Sequence, residues 1–118
     1  MDLSVISQKL YEALLEHHSR VRINHEITDT QIDRHLITYG RLCEDAGLPA
    51  SMAIGIGKFL GEIAEYCSTL DCPPINALAV NSESRMPGDN YDLAEGCSIL
   101  QWPDQVKAVL LCHGYEAL

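Results

Sequence analysis

Apolar residues recur at three- and four-residue steps through Leu3, Ile6, Leu10 and Leu14, which predicts an amphipathic helix over 3–18, capped by Asp2 or Ser4. Ser19 to Ile27 alternates weakly and reads as a short strand or an extended connector. A second helical pattern starts at Thr28 or Asp29. Ile32, Leu36, Tyr39, Cys43 and Ala46 share one face of a helix over 29–46, and Gly47 followed by Pro49 stops it. The β-branched pair Ile37-Thr38 is the weak point, where two short helices would replace one.

A third helix is expected over 51–70, with Ile56, Phe59, Leu60, Ile63, Ala64 and Cys67 as its apolar stripe and Asp71-Cys72-Pro73-Pro74 as its end. Gly55, Gly57 and Gly61 each weaken it by ~1 kcal/mol relative to Ala, and they let another backbone pack close. Residues 75–81 are apolar on both faces, which suits a strand inside the domain. Ser82 to Asn90 is turn chemistry, and a return strand over 90–93 would complete a β-hairpin. A last helix over 103–113 turns Val106, Val109, Leu110 and His113 inward. Trp102 reads as a core residue; a homodimer through Trp102 and this helix is the competing use. The expected whole is one α+β domain spanning 1–118, mostly helical with a short hairpin.

Composition narrows what such a domain can do. With 118 residues, 47% of them apolar, it has enough material for a core. No apolar run approaches the ~18–20 residues that span a bilayer, and the start, MDLSVISQKL, is not signal-like, so a soluble cytoplasmic protein without membrane contact is expected. Seventeen Asp and Glu against eight Lys and Arg give a net charge of −9, which repels phosphates and favours basic proteins.

Cys43, Cys67, Cys72, Cys97 and Cys112 are odd in number and show no paired Cys-x-x-Cys knuckles, so neither a disulfide framework nor a metal site is expected. The five histidines are scattered. Gly55-Ile56-Gly57-Lys58 lacks the rest of a phosphate-binding loop, and no Ser-His-Asp set stands out. The chain therefore reads as a non-enzyme without a cofactor.

The order helix, short helix, turn, longer helix, strand, hairpin is that of a winged helix-turn-helix. Thr38-Tyr39-Gly40-Arg41-Leu42-Cys43-Glu44-Asp45-Ala46-Gly47-Leu48-Pro49 resembles the T-Y-G-x-L-A-x-x-A-G-x-P segment of the alkyltransferase DNA-repair domain and its alkyltransferase-like relatives. Pro73-Pro74 and the strand ending Ala79-Val80-Asn81 stand where that family has its Pro-Cys-His-Arg-Val strand, so the resemblance covers about residues 36–92. It implies a winged-helix fold and, for Tyr39, a place near a flipped nucleotide. The departures are chemical. Asn76 and Ala77 stand at the positions of the Cys-His nucleophile pair, and Ser51-Met52-Ala53-Ile54-Gly55 holds no arginine to extrude a base. The resemblance implies neither alkyl transfer nor base flipping here.

Two binding functions follow. A recognition helix for DNA would present several cations. The expected third helix offers one lysine against two glutamates, and the expected wing offers one arginine against three acids. Arg34, Tyr39, Arg41, Lys58 and Arg85 are the candidates if DNA is bound. The acid balance favours the other function, a binding module for a basic protein partner. That partner could be a nucleic-acid-binding protein which the module inhibits or regulates, with Glu62, Glu65, Glu83, Asp89 and Asp92 as contacts.

Overall fold

A computed structural model describes residues 3–118. Among these, four α-helices surround a two-stranded parallel sheet, with several 3₁₀ turns between them. The first helix, α1, spans Val5–Val21, and its Ser4 hydroxyl accepts from the Ser7 N–H; Asp2, the other expected cap, lies outside the described residues. Leu10, Tyr11 and Leu14 on α1 are buried against α3, Gly57–Thr69. The last helix, α4, Trp102–Leu111, turns in Trp102, Val106, Val109 and Leu110.

The region expected as one helix over 29–46 has the right inward side chains on a different backbone. Thr28 and Gln31 form a capping box, but only 3₁₀ turns follow, at Asp29–Gln31 and Asp33–His35. Leu36 is extended, and Ile37–Thr38 form strand β1. The Thr38 hydroxyl then caps α2, Tyr39–Asp45, by accepting from the Arg41 N–H at 3.3 Å. β-branched residues prefer the pleated backbone, and here they override a helical hydrophobic period. Gly47, at φ +74°, ends α2 as expected.

The helix expected over 51–70 is also divided. A 3₁₀ turn occupies Ala50–Ala53, Gly55 sits at φ +84°, and α3 starts only at Gly57. The strand expected over 75–81 is reduced to β2, Ala79–Val80, preceded by a 3₁₀ turn at Ile75–Leu78. A short apolar run inside a protein fits a buried helical turn as well as a strand, and its hydrophobicity cannot separate them. The expected hairpin return over 90–93 is a 3₁₀ turn, Tyr91–Leu93, with Tyr91 buried. The sheet is instead β1 beside β2 in parallel, Ile37 opposite Ala79 and Thr38 opposite Val80. A parallel pair needs a long crossover, which α2 and α3 supply. His113, expected inside, lies beyond α4 and is exposed, with Nε2 at 3.1 Å from the Ile23 carbonyl.

The segment Pro74–Val80 runs wholly buried through the centre. The Trp102 indole N–H donates to the Ala77 carbonyl at 2.9 Å, so Trp102 serves the core. Tyr115 donates to the Pro73 carbonyl, and Tyr11 donates to the Glu116 carbonyl at 2.6 Å, which fastens the final segment across the end of α3. No helix among the described residues is long and apolar enough to cross a membrane.

Two measurements check this packing. Trp102→Phe leaves the Ala77 carbonyl unpaired in the interior and should cost about 1–3 kcal/mol, read as a lower urea midpoint. Burial holds His17 and His18 below the ordinary 6.5, against hydrogen bonds to the His35 and Val109 carbonyls that pull them up. Unfolding releases both to bind protons, so the unfolded chain binds more protons once the pH drops below 6.5. Stability is therefore complete above that pH and declines on acidification. The urea midpoint should fall between about pH 7.5 and about pH 5.5, and His17→Gln with His18→Gln should flatten that fall.

Candidate functional site

A pocket of about 160 Å³ opens between the start of α3 and the loop that follows β2. Its α3 side is formed by Gly57, Leu60 and Gly61, with Gly55 and Ile56 just before the helix. The three glycines add no side chain to this wall. At Gly57 a Cβ would stand 2.7 Å from the Asn90 amide nitrogen, so glycine is what lets Asn90 close against the helix start. Of the three glycines expected to permit close packing, only Gly57 does so, and against the Asn90 side chain rather than a backbone; nothing stands within 4 Å of a Cβ at Gly55 or Gly61.

Two tyrosines form other walls. Tyr39 opens α2, and its hydroxyl accepts from the Gly88 N–H at 2.7 Å, which ties the loop to the helix. Tyr91 donates its hydroxyl to Gln105 Oε1, and Gln105 also holds the Ser98 N–H and the Gly96 carbonyl. Burial pushes both phenols above their ordinary 10, so each is a neutral wall near neutral pH. Among the lining residues Asp89 carries the one formal charge, and its side chain is exposed.

Asn76 lies deeper, 2% exposed. Its Nδ2 faces Cys97 Sγ at 3.7 Å, while its Oδ1 has no hydrogen-bond partner. Burying an amide oxygen without a donor is costly, and such atoms in folded proteins call for an explanation. The sequence carries a signal for it, one amide inside the apolar run Ile75–Val80, although the hydrophobicity of the run alone points only to burial. Asn76, Asn90 and Tyr91 were all missed as site residues.

The structure divides the expected acidic contacts. Glu62 Oε1 accepts from the Ser4 N–H at 3.3 Å, and Asp92 Oδ1 accepts from the Ile99 N–H, so both serve local structure. Glu65, Glu83 and Asp89 are exposed and make no ion pair among the described residues, and of the five only Asp89 lines the pocket.

The expected cations are divided too. Arg41 and Arg85 line one cleft with His17 and Thr38, but each is matched by an acid. Arg41 Nε is 2.9 Å from Asp45, and Arg85 donates to the Asp33 carboxylate at 3.0 Å and to its carbonyl at 3.1 Å. Arg20 pairs with Glu16. Lys58 lies 4.9 Å above its neighbour Phe59 and lines, with Leu93, a hollow that adjoins the candidate pocket and shares Gly57, Gly61, Asn90 and Ala94 with it. Arg34 is exposed and belongs to neither lining.

Four of the five thiols sit where the thiolate is disfavoured. Burial pushes Cys43 and Cys97 up, Cys67 up to about 12, and, with Cys112 beside it, Cys72 up to about 11. No three His, Cys, Asp or Glu among the described residues converge on a metal-sized site. What the site offers is a small cleft whose walls carry hydrogen-bonding groups and are uncharged apart from Asp89.

Removing the Tyr39 hydroxyl tests how the cleft is held. Tyr39→Phe should cost about 1 kcal/mol in stability and speed amide exchange at Gly88, with little change at Trp102. Comparison of the chain with protein-family models, with curated proteins and with solved structures found no match.

Proposed function

We propose that this chain is a non-catalytic binding module on a winged-helix-like frame, and that it engages a basic, partly apolar segment of a protein partner. The observation that carries the reading is a pair of exposed aliphatic side chains beside an acid-marked cleft. Ile54 is 89% exposed and stands between Ala53 and Gly55, both of which line the pocket. Leu93 is 82% exposed and is followed by Ala94, which also lines it. Aliphatic groups this exposed, each next in the chain to a residue that lines a concavity, suit an interface that buries them. Asp89 at the pocket, with Glu65 and Glu83 elsewhere, supplies the negative field a basic partner would follow. A basic nucleic-acid-binding protein, inhibited by occlusion of its own DNA surface, has the right charge.

A second reading, DNA binding by a relative of the alkyltransferase-like proteins, is favoured by one observation. Tyr39 and Asn76, matched through the resemblance to the nucleotide-adjacent tyrosine and to part of the nucleophile pair, line the same pocket. Against it stand the ion pairs that occupy Arg41 and Arg85 and the loss of any cation from the pocket's walls.

Fluorescence anisotropy separates the two. A labelled peptide alternating Arg or Lys with Leu should bind, and Ile54→Ser with Leu93→Ser should weaken it roughly tenfold, about 1.4 kcal/mol, at an unchanged melting temperature. Charge reversal at Asp89 should weaken it further. Salt-sensitive binding of mixed-sequence duplex DNA, reduced by Arg34→Ala, Arg41→Ala or Lys58→Ala, with no peptide binding, would sink the protein-partner reading.

A further inference from the structure

We propose that Cys72 and Cys112 form a dithiol site that a low-molecular-weight disulfide oxidises, closing a bond that ties the end of α3 to the end of α4. The inference goes beyond the binding reading and does not depend on it. It starts from the place where two helix ends meet. α3 closes in a Schellman turn: the Asp71 N–H donates to the Ser68 carbonyl at 3.1 Å and the Cys72 N–H to the Cys67 carbonyl at 3.0 Å, with Asp71 at φ 54°. α4 closes at Cys112, whose N–H donates to the Val109 carbonyl at 3.1 Å. Each cysteine backbone is thus fixed by the helix it follows.

The chain after Cys112 brings the two side chains to one place. Tyr115 donates its hydroxyl at 2.5 Å to the carbonyl of Pro73, the residue next to Cys72. Between Cys112 and Tyr115, a Cβ on Gly114 would stand 3.5 Å from Cys72 Sγ and 3.9 Å from Cys112 Sγ, so both sulfurs gather against the same residue. The sulfurs of a disulfide stand ~2 Å apart, so the bond draws together two atoms that already share a neighbour. Both cysteines are half-buried, and Cys72 also lines a groove of about 460 Å³ between α3 and α4, which gives a small molecule access. The other three thiols are placed differently. Cys43 and Cys67 are fully buried, and Cys97 Sγ is held at 3.7 Å from both the Glu95 carbonyl and the Asn76 amide.

The chemistry is thiol–disulfide exchange in two steps. Cys112 gives up its thiol proton, and its sulfur attacks one sulfur of the small disulfide. That S–S bond breaks, and the departing thiolate takes up a proton. The Cys72 thiol then gives up its proton and attacks Cys112 Sγ in the mixed disulfide, which forms the Cys72–Cys112 bond and releases a second small thiol. The two cysteines lose two electrons and two protons, and the small disulfide becomes two thiols. The order follows from Cys72, whose thiol is pushed up to about 11 by burial first and by Cys112 next. The second cause disappears once Cys112 carries a mixed disulfide, which eases the attack by Cys72 at the step that needs it.

The test treats the folded full chain with a large excess of glutathione disulfide and reads intact mass, linked peptides and stability. The parent should lose two hydrogens and keep no glutathione, with the link mapped to Cys72 and Cys112. Its urea midpoint should rise, because the bond closes a long loop in the unfolded chain, and dithiothreitol should restore the original value. Cys72→Ser should stop at a stable mixed disulfide on Cys112, whereas Cys97→Ser should close the link as the parent does.

A link through Cys43, Cys67 or Cys97 would overturn the proposal. So would a parent that retains glutathione on Cys112, or one whose mass does not change. None of these results bears on binding of the Arg/Lys-Leu peptide, so the partner reading stands or falls separately.

Discussion

The segment from Pro74 to Val80 lies entirely inside the protein, and its backbone must find every hydrogen bond from the surrounding elements. The rest of the architecture can be understood from that requirement. Two paired residues of β1 satisfy Ala79 and Val80, and the 3₁₀ turn satisfies the Ala77 N–H on the Pro74 carbonyl. Trp102 reaches in from α4 for the Ala77 carbonyl, and the Met86 carbonyl accepts the Asn81 N–H where the chain leaves. α1, α3 and α4 pack against this strap, so their apolar stripes and its polar needs are met together. Asn76 is the departure: its side-chain oxygen stays unpaired in a wall shared with the pocket.

Helix positions were legible where period and length agreed. α1 and α4 follow from their stripes to within a few residues, and Gly47 marks the end of α2. The misses share a cause. Leu36, Tyr39, Cys43 and Ala46 sit at helical spacing and do face the core, yet the chain reaches those positions through 3₁₀ turns and a strand. Spacing reports which side chains go inward; it does not report the backbone that carries them. The same holds for Ile75–Leu78, where burial on all sides erased the periodicity that would have told strand from turn.

The site was less legible because it is made of what sequence reading discounts. Glycines register as helix weaknesses, although Gly57 is where Asn90 comes closest to the helix. A single amide in an apolar run registers as noise, and nothing in the spacing marks Ile54 and Leu93, both of which stand in solvent. The charged residues were easier to name and harder to assign. Arg85 adopts a left-handed backbone at φ 57° while its guanidinium is held by Asp33, an arrangement that only the folded loop could show.

The sheet has a consequence for how anything can be recognised. Each strand is two residues long, and Ile37, Ala79 and Val80 are all buried, so there is no open edge along which a foreign chain could extend the ladder. Among the described residues the sheet therefore offers no edge for main-chain zippering, a mode that is tolerant of sequence. Under the proposed binding function, a partner would be read through the shape and polarity of individual side groups rather than through a shared ladder.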